Sequence, residues 1–194
     1  MDPKVIKVAI GANSTHQALM GKLYEVSQII PHPKWEMGMI NWILINYYAY
    51  DYAILILKNP LVMVTKNFHA STTSLATRSY AGKKGTVSGY SPDGGEFVHL
   101  KSLSVPILTT EQLARFSFKY GDDRFLGTGY LNTVAGPCSP LDLGAPLVIK
   151  EGRNFILVGI VSVPHCQIGE PDIYGNITHY HDWIMETMEG KVSL

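Results

Sequence analysis

Short apolar runs separated by turn residues recur along the 194 residues of this chain, and most of them have the length of a β-strand. Residues 5–11, 24–30 and 51–57 predict three strands in the first third of the chain, each rich in isoleucine or valine. The pair His32-Pro33 ends the second strand, because proline has no amide hydrogen to donate to a strand ladder. The pattern therefore favours a mostly β protein.

The second half of the chain shows the same strand-length pattern. Residues 85–89 and 98–107 predict further strands. Residues 65–83, which are rich in Ser, Thr, Ala and Lys, predict a linker between two units. We therefore expect two domains, residues 1–71 and residues 72–194.

Two segments predict helices instead of strands. Thr109 and Gln112 stand at the spacing of a capping box and mark the start of the first helix. Residues 180–189 predict a second, amphipathic helix, with Trp183, Ile184 and Met188 on its apolar stripe. The chain is therefore expected to end in a helix.

Charge and composition exclude several classes of protein. Sixteen Lys and Arg balance sixteen Asp and Glu, so the charge gives no reason to expect nucleic acid or an anionic membrane as a partner. No apolar run reaches the ~18 residues of a membrane-spanning helix, and the first residues lack the pattern of a signal peptide. No Gly-rich phosphate loop and no metal-ligand spacing of His or Cys occur, so we expect no cofactor and no metal.

Residues 135–149 read A-G-P-C-S-P-L-D-L-G-A-P-L-V-I, with a cysteine, a proline-broken turn and an acid before an apolar strand. This segment resembles the nucleophile segment of trypsin-like serine proteases, C-x-G-D-S-G-G-P-[LV]-V. Four other segments resemble motifs of that family in the same order along the chain: residues 29–35, 51–57, 159–166 and 171–184. The resemblance covers nearly the whole chain.

The resemblance implies an all-β fold, the trypsin-like double Greek-key β-barrel, with the first barrel incomplete and a C-terminal helix. When residues 8–11 are matched to the family, the expected catalytic histidine falls immediately before Met1. The first strands of the family and this histidine are therefore expected to be absent from the chain.

The resemblance also implies a damaged catalytic site. The triad mechanism needs a nucleophilic hydroxyl, a histidine base, an acid and backbone amides for the oxyanion. Asp51 matches the triad aspartate and is expected to be buried, whereas Leu143 occupies the place of the nucleophilic serine. Pro140 and Leu141 replace the glycine whose amide would bind the oxyanion, and proline has no amide hydrogen.

The substrate pocket that the family implies is altered as well. Gly136 stands where trypsin-like members carry their acid, and Asp172 replaces a pocket glycine. Ser162 agrees with the family, but Pro164 replaces a glycine whose amide pairs with substrate. Asp142 matches the acid that binds the new amino terminus of active members, so here it needs other donors or a proton.

Cys138 and Cys166 match one disulfide of the family, and the resemblance implies that they are bridged; two free thiols are the alternative. The positions of two other family disulfides hold no cysteine: Gly85 with Ile149, and Leu113 with Gly127. Asn13 and Asn176 each begin an N-x-[ST] sequence, which permits glycosylation in the secretory pathway.

Three interpretations of the function are open. The first is a catalytically inactive homologue, similar to inactivated serine protease paralogues of arthropods and mites, which is secreted and binds an unidentified protein partner. The second is an active serine endopeptidase, which Leu143 opposes. The third is a truncated gene product without independent function.

Overall fold

The computed structural model describes residues 2–35, 49–61, 64–65, 68–69, 73–91, 98–116, 120–129, 142–165 and 169–190. The strands are β1 (Lys7–Ala9), β2 (Leu23–Pro31), β3 (Ala53–Leu57), β4 (Val64–Thr65), β5 (Phe68–His69), β6 (Ser74–Leu75), β7 (Lys84–Ser91), β8 (His99–Pro106), β9 (Phe125–Thr128), β10 (Pro146–Glu151), β11 (Asn154–Val163) and β12 (Asp172–Asn176). The helices are α1 (Thr15–Met20), α2 (Thr110–Phe116) and α3 (Ile177–Met188). The predicted mostly β fold with a C-terminal helix is confirmed.

The first three strands form a small antiparallel sheet in the order β1-β2-β3. Val26 and Ile30, both on β2, are the buried apolar residues of this sheet. Leu55 and Ile56 on β3 are 40% and 37% exposed. Within the described part of the chain, the first barrel is therefore incomplete, as predicted. The first strand is shorter than predicted, because residues 3–5 form a 3₁₀ turn.

A larger antiparallel sheet in the order β8-β7-β10-β11-β12-β9 forms the second half of the fold. Its two outer strands meet where Ile107 pairs with Thr128, and the Leu108 amide donates to the Gly127 carbonyl at 2.9 Å. The sheet therefore curls back on itself around an apolar core. The most deeply buried side chains of that core include Val105, Leu147, Val158, Tyr174 and Ile177.

The predicted linker over residues 65–83 is only partly a linker. Strand β6 lies within it and pairs in parallel with β11, where Ser74 is opposite Ile156. The Ala76 amide then donates to the Leu157 carbonyl at 2.9 Å. The sequence missed this strand because it is only two residues long. The predicted domain boundary at residue 71 lies outside the described residues and stays a prediction.

Helix α3 begins three residues before the predicted start at residue 180, because β12 runs directly into it without a loop. Asn176 is its N-cap, and its side-chain oxygen accepts a hydrogen bond from the Thr178 amide at 3.2 Å. The predicted apolar stripe was wrong at Met188, which is 66% exposed. The buried positions follow the helical period and are Ile177, Tyr180, Ile184 and Thr187.

Helix α2 begins with the predicted capping box. The Gln112 amide donates to Thr109 Oγ1 at 3.1 Å, and the Thr109 amide donates to Gln112 Oε1 at 2.8 Å. The helix buries Leu113 against Gly127 of β9, where an added Cβ would come within 2.7 Å of Leu113 Cδ1. The leucine side chain therefore fills the space that a larger residue at position 127 would need.

A similar packing of a leucine against a glycine occurs between β7 and β10. Leu147 pairs with Val87 and Val148 with Thr86, and Ile149 and Gly85 adjoin this second pair along their strands. An added Cβ at Gly85 would come within 2.8 Å of Leu147 Cδ1. The two positions that the family resemblance paired are thus neighbours in the fold.

The Tyr52 side chain joins the small sheet to the large one. Tyr52 is buried, and its ring occupies the space that a Cβ at Gly175 would fill. Its ring centroid lies 4.4 Å from that of Tyr180 on α3, and the Tyr50 amide donates to the Tyr180 hydroxyl at 3.1 Å. His32 stacks beside these residues, 4.6 Å from Trp183 between ring centroids. The C-terminal helix therefore holds the two sheets together.

Candidate active site

The Asp51 carboxylate lies where the two sheets meet. Its Oδ2 accepts a hydrogen bond of 2.8 Å from the hydroxyl of Ser162, which is buried on β11. The structure thus brings together two residues that are 111 positions apart in sequence and that the resemblance assigned to one site. The expectation that Asp51 is buried was wrong, because it precedes β3 at the open edge of the small sheet and is exposed.

A charged aspartate can orient and stabilise a histidine base only when the two side chains are in hydrogen-bond contact. In the part of the chain that the structure describes, Asp51 accepts its hydrogen bond from Ser162, and no histidine contacts it. The Asp51–Ser162 pair therefore has an acid and a hydroxyl but no base among the described residues.

Leu143 lies in a tight turn between Asp142 and strand β10. The Ala145 amide donates to the Asp142 carbonyl at 2.9 Å, and the Gly144 amide donates to the Val161 carbonyl at 2.9 Å. Gly144 has a φ of 81°, a left-handed conformation that favours glycine. The turn presents the Leu143 side chain outward, with 54% of its surface exposed. This position therefore offers a hydrocarbon side chain to the solvent.

Asp172 and Asp142 are both buried carboxyl groups, with 2% and 6% of their surfaces exposed. Burial, with a smaller contribution from the charge of Asp142, raises the pKa of Asp172 from 3.8 to about 7. The His165 amide opposes this by donating to Asp172 Oδ1 at 2.7 Å. The Asp142 side chain lies against Gly89, where its oxygen leaves no room for a Cβ.

The His165 segment closes over Asp172. His165 Nδ1 lies 2.9 Å from the Pro171 carbonyl, and Pro164 directly precedes it after β11. Sequence reasoning assigned no role to the His165 amide or to Gly89, because a backbone donor and a missing side chain leave no signal in residue chemistry. Gly136, Cys138 and Cys166 lie outside the described residues, so the altered pocket wall and the disulfide stay predictions.

The described ranges hold neither a metal-binding cluster nor a membrane-spanning helix. They contain no group of three or more His, Cys, Asp or Glu side chains arranged to hold a metal ion. None of the described helices is long and apolar enough to cross a membrane.

A small antiparallel sheet and a larger curled sheet, joined by the Asp51–Ser162 hydrogen bond and closed by a C-terminal helix, agree with the trypsin-like β-barrel fold. The family model described as trypsin matches residues 2–184. The chain therefore belongs to the trypsin family.

One similar relative is transmembrane protease serine 5 of Homo sapiens, which is 29% identical over 181 residues. The match covers 86% of this chain and 36% of that protein. The chain thus spans about a third of the length of this curated relative. Similarity to arthropod paralogues stays a prediction.

Proposed function

We propose that this member of the trypsin family is catalytically inactive and acts outside the cell by binding another protein. The observation that carries the proposal is the exposed hydrocarbon side chain of Leu143, the residue that the family resemblance matches to the nucleophilic serine. A serine peptidase forms its acyl intermediate through a hydroxyl oxygen, and leucine has no atom that can attack a carbonyl.

The surroundings of Asp51 also favour this proposal. Its carboxylate is satisfied by the Ser162 hydroxyl, and within the described residues no imidazole lies beside it to accept a proton from a nucleophile. Loss of either the serine or the histidine of a triad lowers turnover by roughly a millionfold. Restoring a serine alone at position 143 is therefore insufficient.

The proposed partner is a protein, because the balanced charge gives no basis for binding nucleic acid or an anionic membrane. An extracellular location is proposed from the family resemblance and from the two N-x-[ST] sequences at Asn13 and Asn176. The proposal needs no cofactor and no metal.

The test compares the unmodified chain with Leu143→Ser and Leu143→Ala. Each protein is treated with a fluorophosphonate probe and with a panel of peptide esters, and circular dichroism confirms that each is folded. We expect no labelling and no turnover above background from any of the three. Leu143→Ala is the matched control, because it shortens the side chain without adding a hydroxyl.

Labelling of the unmodified chain would contradict the proposal and favour an active serine endopeptidase. Labelling of Leu143→Ser alone would show that a histidine reaches this turn after all. His165 would be the first candidate, because it lies on the segment that follows β11. In that case inactivity would rest on Leu143 alone.

A further inference from the structure

The two N-x-[ST] sequences lie in different structural settings. Asn13 is exposed in the turn that precedes α1, whereas Asn176 is half-buried where β12 enters α3. N-linked glycosylation joins the side-chain amide nitrogen to a bulky, solvated sugar. The amide of an acceptor asparagine in the folded protein must therefore point to solvent with space around it.

Both the nitrogen and the oxygen of the Asn176 side-chain amide form hydrogen bonds. Nδ2 donates to the Asp123 carbonyl at 2.8 Å, and Oδ1 accepts from the Thr178 amide at 3.2 Å. The hydroxyl of Thr178, the third residue of the sequence, donates to the Arg78 carbonyl at 3.3 Å. The middle residue, Ile177, has no exposed surface. A sugar on Asn176 Nδ2 would compete with the hydrogen bond to the Asp123 carbonyl and would crowd the start of α3.

Among the described residues, the hydrogen bonds of Asn13 are made by its backbone and not by its side chain. Its carbonyl accepts from the Leu100 amide at 2.8 Å, and its amide donates to Gln17 Oε1 at 2.8 Å. The Thr15 hydroxyl oxygen accepts from the Val98 amide at 3.2 Å. Within the described part of the chain, the Asn13 side-chain amide makes no hydrogen bond. The backbone of Asn13 is thus fixed, whereas the residue is exposed to solvent.

The surface next to Asn13 has room for a sugar. Asn13 is one of the residues that line a hollow of about 360 Å³, together with Gly11, Gln17 and Lys22. Leu19 and Met20, on the α1 segment nearby, are 73% and 77% exposed. A glycan beside them would shield apolar surface that otherwise faces water.

We propose that Asn13 is an N-linked glycosylation site of this chain and that Asn176 stays unmodified in the folded protein. The Asn13 amide nitrogen bonds to the anomeric carbon of a lipid-pyrophosphate-linked oligosaccharide. That nitrogen loses one proton, and the lipid pyrophosphate leaves. The location of the natural protein, which belongs to the proposed function, need not be known for the test, because the experiment supplies the signal peptide.

The test expresses the full chain behind a cleavable signal peptide in a eukaryotic secretory host. The folded fraction is treated with a peptide N-glycosidase in heavy-oxygen water, which labels each formerly glycosylated asparagine, and peptides are mapped by mass spectrometry. We expect the label at Asn13 and none at Asn176. Cell-free translation with microsomes provides a second measurement on the same chain, which does not depend on export.

Variants separate the two positions. Asn13→Gln abolishes the glycosidase-sensitive gel shift, while Thr15→Ser keeps it, because serine retains the hydroxyl that both the sequence motif and the Val98 amide need. Asn176→Asp keeps an N-cap oxygen for α3, removes the motif and leaves the shift unchanged. Label at Asn176 in the folded fraction, or an Asn13 without label in both measurements, would overturn the proposal.

Discussion

Asp172 is a carboxyl group that the fold holds away from water, and no side chain of opposite charge among the described residues forms an ion pair with it. The hydrogen bond from the His165 amide stabilises its ionised form, but burial and the neighbouring Asp142 oppose ionisation, so its pKa is about 7. Its proton therefore leaves near neutral pH in the folded chain and near pH 4 in the unfolded chain. Ionisation of this residue thus weakens the folded state.

Asp172 makes stability fall as the pH rises. Between pH 4 and 7 the folded state binds more protons than the unfolded state, so the free energy of unfolding decreases with pH in this window and levels off above it. We expect Asp172→Asn, which stays neutral, to remove most of this decrease, on the order of 2–4 kcal/mol. Urea denaturation from pH 5 to 8 measures it.

Asp182→Asn on α3 is the control for this experiment, because its side chain is 95% exposed. The control should keep the slope of the unmodified chain. Equal pH dependence of the unmodified chain and Asp172→Asn would show that Asp172 ionises without cost in the folded state.

At the scale of single elements, a large side chain on one strand or helix packs against a glycine on the neighbouring strand. Leu113 on α2 fills the space above Gly127 on β9, and Leu147 on β10 does the same above Gly85 on β7. Close packing of this kind makes a core sensitive to the volume of each partner. Changes at the two residues of such a pair are therefore expected to have non-additive effects on the free energy of unfolding.

A double-mutant cycle tests this coupling. Leu113→Ala should cost about 2–5 kcal/mol, because it leaves a cavity. Gly127→Ala should cost about 1–3 kcal/mol, because its Cβ would lie 2.7 Å from Leu113 Cδ1. The double variant should be more stable than the sum of the two costs predicts.

Chemical denaturation of the four proteins measures the coupling. Phe116→Ala on the same helix is the control, because Phe116 is 38% exposed and not part of the core pair. Additive effects of the two core changes would contradict the interpretation that Leu113 and Gly127 share one space.

At the scale of the whole molecule, the two sheets differ in how much apolar surface they bury. The large sheet encloses a core that includes Leu147 and Tyr174, whereas the small sheet buries Val26 and Ile30 and leaves much of β3 in water. Burial of apolar surface stabilises by roughly 25 cal/mol per Å². The small sheet is therefore the weaker part of the described fold.

Hydrogen exchange should show this difference directly. We expect amides before about residue 71 to exchange first and those of β11 last, because local opening needs less free energy where fewer apolar contacts break. Tyr52→Ala should speed exchange in β2 and β3 by removing roughly 3–5 kcal/mol of packing, with little effect on β11. Equal protection of both sheets in a monomer would contradict the prediction.

The sequence predicted those parts of the fold that depend on local pattern. The strands near residues 24–30 and 98–107 and the capping box at Thr109 were recognised from residues close together in the chain. Asp51, Ser162 and Asp172 were found through the family resemblance. The exposure of Asp51 and the early start of α3 were missed, because both depend on which distant segments pack beside them.

The contact of Tyr52 with Gly175 also constrains the history of this chain. The tyrosine ring occupies space that any side chain at position 175 would need, so the two residues could not have been acquired in either order with equal ease. A glycine that arose first would have left a small void, whereas a tyrosine that arose first would have met a steric clash. The order in which glycine precedes tyrosine is therefore the less costly one, and with Tyr52 in place any larger residue at position 175 would clash with its ring.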